Sequence, residues 1–253
     1  MLRHRRTVVV SISLLIVVVI AWFSLRQYLH HPDALWRIVS QQCVPNQQKS
    51  QSPEPCAKVD LPSGFVLLKD IHGPLQYLLM PTAKMKGMES PELLQAQTPN
   101  FFWLAWQQRN VMSARLGSYI PDDVVSLTIN STTGRTQNQL HIHISCLRKD
   151  VRGQLNRYTN TLNHQWQVFP ESLAGNTYIA RKVTADEFSQ RSPFIMLANQ
   201  VPQAREHMGR YSLAMAKLAD GDWVVLATER NLLRLNLASA EQIQDHDCGL
   251  LKK

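Results

Sequence analysis

The segment Gln139-Leu140-His141-Ile142-His143-Ile144-Ser145-Cys146 sets two imidazoles and a hydroxyl at alternate positions, with apolar residues between them. On a β-strand, alternate side chains share a face. His141, His143 and Ser145 then lie on one side, and Ile142, Ile144 and Cys146 pack into a core on the other. A strand rise of roughly 3.3–3.4 Å per residue puts the two imidazoles about 7 Å apart. Three chemistries suit such a pair. It can be half of a metal site, a nucleophilic imidazole with polar helpers, or a pair of hydrogen-bonded structural histidines. A metal site needs further ligands at suitable spacing, and His72, His164, His207 and His246 are scattered without it. The histidines alone leave all three readings open.

The elements that must position this strand follow from local patterning. Leu35, Ile38 and Val39 sit at helical spacing within 33–42, and the polar, Pro-containing 47–62 reads as loop. Residues 65–68 and 76–80 read as two strands around Gly73-Pro74. Thr98-Pro99 has the form of an N-cap and first helical residue, with Gly117 closing the helix. Residues 122–130 and 139–147 form the next strand pair, joined by Ser131-Thr132-Thr133-Gly134 turn chemistry. A helix on one face of an antiparallel sheet accommodates this order. The second half repeats the rhythm loosely. Residues 178–183 read as a strand, Ser192-Pro193 starts a helix that Pro202 interrupts, and 211–218 with 223–228 form a hairpin around Asp220-Gly221. Ser239-Ala240-Glu241-Gln242 has the form of a capping box. A degenerate internal duplication fits, but the second half has no His-x-His.

The chain has 253 residues, is 44% hydrophobic and carries a net charge of +8, enough for one large domain or two small ones. Basic residues are not interleaved with aromatics, so no nucleic-acid partner is implied. Arg3, His4, Arg5 and Arg6 precede an uncharged run from Thr7 to Leu25 with Trp22 near its end. About 20 apolar residues span a bilayer, and flanking basic residues stay cytoplasmic. This reads as an uncleaved single-pass anchor, since Ala21-Trp22-Phe23 makes a poor signal-peptidase site. The rest of the chain would then be exported. Cys43, Cys56, Cys146 and Cys248 form an even set in an exported chain, which points to disulfides. Three connectivities exist; Cys43–Cys56 is the natural local pair, and Cys146–Cys248 then ties the reactive strand to the C-terminus. The expected organisation is an anchor at 1–30, a polar disulfide-containing lead-in at 31–64, a catalytic half at 65–150 and a C-terminal α+β half at 151–253.

Asn130 lies eleven residues before His141 and Gln137 four before it, across the Gly-containing turn. With these neighbours the segment resembles the histidine triad family of nucleotide hydrolases and transferases, whose signature alternates three histidines with apolar residues. Residues 68–81, with an Asp-Ile ahead of a strand ending in apolar-apolar-Pro, are also similar to that family. A closer resemblance covers most of the exported chain. LKDIHGPLQYLLMPT (68–82), TPNFFWLAWQ (98–107), GRTQNQLHIHISC (134–146), RSPF (191–194) and AREHMG (204–209) look like the membrane-anchored bacterial CDP-diacylglycerol pyrophosphatases of this superfamily.

The resemblance implies an α+β protein with a histidine triad-like antiparallel sheet, flanking helices and a degenerate second half. It implies hydrolysis of CDP-diacylglycerol to CMP and phosphatidate at the outer side of the inner membrane, with no cofactor or metal. His143 matches the nucleophile, and His141 the first histidine of the motif. Asn130 and Gln137 match polar helpers to the phosphate oxygens, while Asp70 and Asn138 fall at substrate-binding positions. Ser145 departs from the pattern by replacing the third histidine, which helps the leaving group in relatives. Serine donates a hydrogen bond but is no acid near neutral pH. Two alternatives stay open: a periplasmic hydrolase of soluble nucleotide diphosphate esters, and a nucleotide- or lipid-binding module without turnover.

Overall fold

The computed structural model describes residues 15–19 and 31–252. The expected anchor falls outside the described residues apart from 15–19, which are helical and exposed. Among the described residues no helix is long and apolar enough to cross a membrane.

Among the described residues ten strands form one antiparallel sheet, with nine in the order β1-β2-β3-β5-β4-β8-β9-β7-β6. They are β1 (Lys58–Asp60), β2 (Phe65–Lys69), β3 (Tyr77–Pro81), β4 (Val125–Ile129), β5 (Ile142–Leu147), β6 (Gln167–Val168), β7 (Ile179–Val183), β8 (Tyr211–Lys217) and β9 (Trp223–Glu229). The tenth, β10 (Gln244–Asp245), lies off that path and pairs with β5. The order contains an internal echo: β2-β3-β5-β4 and β6-β7-β9-β8 repeat one arrangement, and the two runs meet where β4 pairs with β8. The repeated strand order parallels the loose rhythm of the second half's sequence.

Period-2 alternation sorts the strand residues between two layers. One face of the sheet carries Leu79, Leu127, Ile142, Ile144, Leu213, Met215, Val225 and Ala227. These pack against Phe101, Phe102, Ala105 and Trp106 of α3 (Phe101–Gln108), Met112 of α4 (Asn110–Leu116), Phe188 of α6 (Ala185–Gln190), and Phe194, Met196 and Leu197 of α7 (Pro193–Gln200). On the opposite face, Val151 and Leu155 of α5 (Lys149–Tyr158) cover Ala214, Ala216, Val224 and Leu226. Toward the other edge, Val39 and the Cys43–Cys56 bridge cover Val66, Leu68, Leu78 and Met80. The reactive strand's polar face lies on this second side. There β5 and the residue just before it show His141, His143 and Ser145, whereas its topological counterpart β9 shows Val224 and Leu226.

Local expectations fail at a few boundaries. The first helix does not end near Gln42: after α1 (Ala34–Ile38) it continues through a π-turn (Val39–Cys43) into α2 (Val44–Ser50). Pro45 stands just past the π-turn, and without an N–H it cannot continue the i→i−4 ladder there. Thr98 does not cap α3. Its hydroxyl donates to Glu92 O (2.5 Å), and Asn100 Oδ1 accepts from Trp103 N (3.2 Å) instead. Residues 122–124 form a 3₁₀ turn ahead of β4 rather than part of the strand. Residues 240–243 make one 3₁₀ turn in place of a capped helix, because the Ser239 hydroxyl is taken by Asn130 Oδ1 (3.2 Å). Both cysteine pairs are bridged as read, Cys43–Cys56 and Cys146–Cys248. No cysteine is free, which fits an oxidising, extracytoplasmic compartment.

Candidate active site

Strand β5 has β4 along one side. Along the other it pairs first with β3, through Ile142–Ile144, and then with the short β10, through Cys146 and Leu147. The disulfide from Cys146 to Cys248 fastens β10 in place. His246 follows β10 directly and is thereby delivered to the histidine face. Its Nδ1 lies 3.2 Å from Ser145 Oγ, and its Nε2 lies 3.1 Å from Glu241 Oε1.

Glu241 is the hub. Its Oε1 stands 3.5 Å from His143 Nδ1, and its Oε2 accepts from Asn130 Nδ2 at 3.1 Å. Asn130 Oδ1 returns the bond by accepting Glu241 N at 3.1 Å. Gln76, from the residue just before β3, donates its amide to Asp70 Oδ2 (2.7 Å) and reaches Glu241 Oε1 (3.4 Å) and His143 Nδ1 (3.2 Å). Burial opposes ionisation of Glu241. Hydrogen bonds from His246 and Asn130, and the neighbouring His143, nevertheless hold its carboxyl far below the usual range. Asp70 is also held low against its burial, by the His72 backbone N–H and the Gln76 amide.

The two motif histidines are neutral for one physical reason. Burial disfavours the imidazolium, and it pushes His141 down to about 4, helped by His143 and opposed by the Gln139 carbonyl. That carbonyl accepts His141 Nδ1–H at 2.6 Å, which leaves Nε2 as the basic nitrogen. Burial lowers His143 as well, against the pull of Glu241 and Asp70. The rings lie 4.9 Å apart, edge to face. Nε2 of His143 is buried and has no hydrogen-bond partner among the described residues.

A cavity of about 530 Å³ opens over this face. Leu35 and Ile38 of α1, with Leu68 and Leu78, form an apolar wall; Asp70, His141, His143, Asn130 and Glu241 form a polar floor. Two cations also line it: Lys69, and Arg135, which forks onto Glu89. Among the described residues no group of three or more His, Cys, Asp or Glu side chains has the geometry to hold a metal ion.

His141, His143, Asn130 and Asp70 thus come together. Ser145 lies below them, fully buried. Gln137 lines the cavity rim, but its side chain bonds to Leu35 N (3.2 Å) and His31 O (3.2 Å). Asn138 bonds to Asp33 Oδ1 (3.1 Å). Sequence reasoning missed Gln76, Arg135, Glu241 and His246. The cysteine pairing held the signal for His246: a residue two before Cys248 must sit beside a residue near Cys146 once those two are joined.

An antiparallel sheet here presents neutral imidazoles, a fixed carboxylate and two cations to a nucleotide-sized cavity, a set suited to a hydrolase acting on a phosphoric anhydride. Comparison with protein families makes the class specific. The family model for CDP-diacylglycerol pyrophosphatase matches residues 30–252, and the chain belongs to that family. It hydrolyses CDP-diacylglycerol to CMP and phosphatidate.

Proposed function

We propose that turnover runs through a covalent cytidylyl intermediate on His143. The observation that supports this is the state of its ring. Nδ1 lies 3.5 Å from the Glu241 carboxylate and 3.2 Å from the Gln76 amide nitrogen; with the two amide protons given to Asp70 and Glu241, Nδ1 carries its own proton toward the carboxylate, and Nε2 is left bare at the floor of the cavity. A neutral imidazole is a competent nucleophile, and burial keeps this one neutral.

In the first step Nε2 attacks the phosphorus bearing cytidine. The N–P bond forms as the anhydride P–O bond breaks, and phosphatidate departs with the bonding electron pair. Its second pKa near 6 lets it leave largely unprotonated. The ring becomes a cation, and the adjacent carboxylate offsets that charge as it develops. In the second step water attacks the same phosphorus, the N–P bond breaks, CMP leaves and His143 returns to neutrality. Lys69 and Arg135 set positive charge beside the diphosphate, and the Leu35–Ile38 wall receives the apolar part of the substrate. His143 is only 4% exposed, so the cavity lining must part for the phosphorus to reach Nε2. The Asp70–Gly73 turn, with Ile71 and His72 in solvent, is the element placed to do this.

His141 orients the neighbouring backbone and phosphate oxygens. Ser145 and His246 act as a pair at the position of the missing third histidine, with His246 fixing Glu241 and exchanging protons with water in the second step. The uncharged run from Thr7 to Leu25 anchors the chain in the inner membrane, with the catalytic part in the periplasm and sharing one surface with its lipid substrate. His143→Ala should lower CMP release by at least 10³-fold while substrate still binds. Turnover within tenfold of wild type would overturn the reading.

A further inference from the structure

Among the described residues, four leucines between β9 and the Glu241 turn face solvent rather than the core. In Arg230-Asn231-Leu232-Leu233-Arg234-Leu235-Asn236-Leu237, Leu233 is 99% and Leu235 88% exposed, with Leu232 and Leu237 also in solvent. The loop is not loose. Asn231 and Asn236 exchange backbone hydrogen bonds (2.8 and 2.9 Å). Asn231 Oδ1 caps Arg234 N (3.2 Å). Asn236 ties the base to Thr228 Oγ1 (2.9 Å), Glu229 O (3.1 Å) and Ala238 N (2.8 Å). Leu235 takes φ +55°, a conformation unfavourable for a leucine. A rigid frame that spends backbone strain to hold leucines in water marks an interaction surface.

Its place in the fold identifies the partner. The turn 131–138 bonds to this loop on one side: Ser131 Oγ and Thr133 Oγ1 donate to Leu237 O at 2.7 and 3.0 Å. On the other side Asn138 N donates to Pro32 O at 2.6 Å, where the chain arrives from the apolar N-terminal run. Gly134 in that turn lines the cavity, and a Cβ there would stand 2.6 Å from Ala238 O. The cavity rim, the start of the exported chain and the leucine loop therefore share one turn. Arg230 precedes the leucines and Arg234 lies among them, and the substrate's headgroup and its phosphatidate product are anionic. Apolar side chains framed by arginines fit the interface of an anionic bilayer.

We propose that the Arg230–Leu237 loop inserts into the anionic lipid surface that carries the substrate and docks the cavity mouth onto it. This goes beyond tethering. An anchor keeps the domain near the membrane, whereas the loop fixes its orientation. The inference rests on the reading of the cavity around His143 as the catalytic site.

The test uses the full chain and two forms of one substrate. Long-chain CDP-diacylglycerol is presented in phosphatidylcholine–phosphatidylglycerol vesicles, and dihexanoyl CDP-diacylglycerol is presented below its critical micelle concentration. The double variant Leu233→Asp, Leu235→Asp should lose tenfold or more on vesicles, through a higher KM, and stay within twofold on the dissolved form. Arg230→Gln with Arg234→Gln should weaken the preference for phosphatidylglycerol-containing vesicles. Equal losses on both substrate forms, or none on either, would overturn the proposal. So would a smaller oligomer with unchanged vesicle turnover, which would assign the loop to self-association. His143→Ala separates the two claims: retained turnover on both forms would sink the catalytic assignment and leave a selective loop effect standing.

Discussion

Replacing Glu241 by Gln removes one negative charge and turns one of its two accepting oxygens into a donor. The carboxylate lies 3.5 Å from His143 Nδ1. For a full cation there, the attraction is about 5 kcal/mol at an effective dielectric constant of roughly 20. The side chain is 27% exposed, so water screens part of this, and the amide oxygen of Gln still accepts a hydrogen bond. About 2–3 kcal/mol of transition-state stabilisation should be lost, equivalent to a fall in kcat of roughly 30- to 150-fold. Removing the carboxylate also removes a pull that favours imidazolium, so His143 becomes more firmly neutral. The fall therefore cannot come from protonating the nucleophile, and it should not recover at higher pH. Rapid-quench measurement of CMP release from the folded variant, its fold checked by circular dichroism, gives the answer. A rate within threefold of wild type would refute the idea that Glu241 offsets a charge on His143.

Other consequences follow from the same network. Breaking the Cys146–Cys248 bridge with Cys248→Ser reopens a span of 102 residues in the unfolded chain. Stability should fall by about 4–5 kcal/mol by loop-closure entropy, and activity should fall further as His246 comes away; denaturant titration and turnover check both. Gly73 has φ +63°, and a Cβ there would stand 2.5 Å from His246 Cβ. Gly73→Ala should thus cost about 2 kcal/mol or more in strain and lower turnover at least tenfold by pushing His246 off Glu241; unchanged kinetics would refute the placement of His246. His141 titrates near 4 in the folded protein against about 6.5 ordinarily. Its folded value is depressed, so the unfolded chain takes the proton first as pH falls. Stability should drop between about pH 6.5 and 4, by up to about 3 kcal/mol, and level off below. His141→Gln should remove one proton's worth of that slope in thermal melts at stepped pH.

The reactive strand, its two faces and the Cys43–Cys56 bridge were legible because each rests on a short-range rule, and Cys146–Cys248 followed as the remaining pair. Alternation at 139–146 sorts the imidazoles from the isoleucines without knowledge of neighbours. The Gly73-Pro74 turn and the Gly117 cap follow from backbone sterics. The start of α3 was misplaced because two residues compete for one cap, and the tertiary bond from Thr98 to Glu92 O decides between them. The carboxylate hub was hidden for a different reason. Glu241 lies 98 positions from His143, and its role depends on the β5–β10 pairing that only the folded sheet displays. Its capping-box context made it look like a helix start, while in the fold Asn130 takes over Ser239. His246 was within reach, since the Cys146–Cys248 pair fixed its neighbourhood.

The central claim is a transient bond between His143 Nε2 and phosphorus. The most direct measurement is intact-protein and peptide mass spectrometry after rapid quenching at alkaline pH, where a phosphoramidate persists. The account predicts a cytidylyl adduct on the peptide holding His143, absent in His143→Ala and forming no more slowly than CMP is released. An adduct on another residue, or steady turnover with no adduct at any quench time, would contradict it.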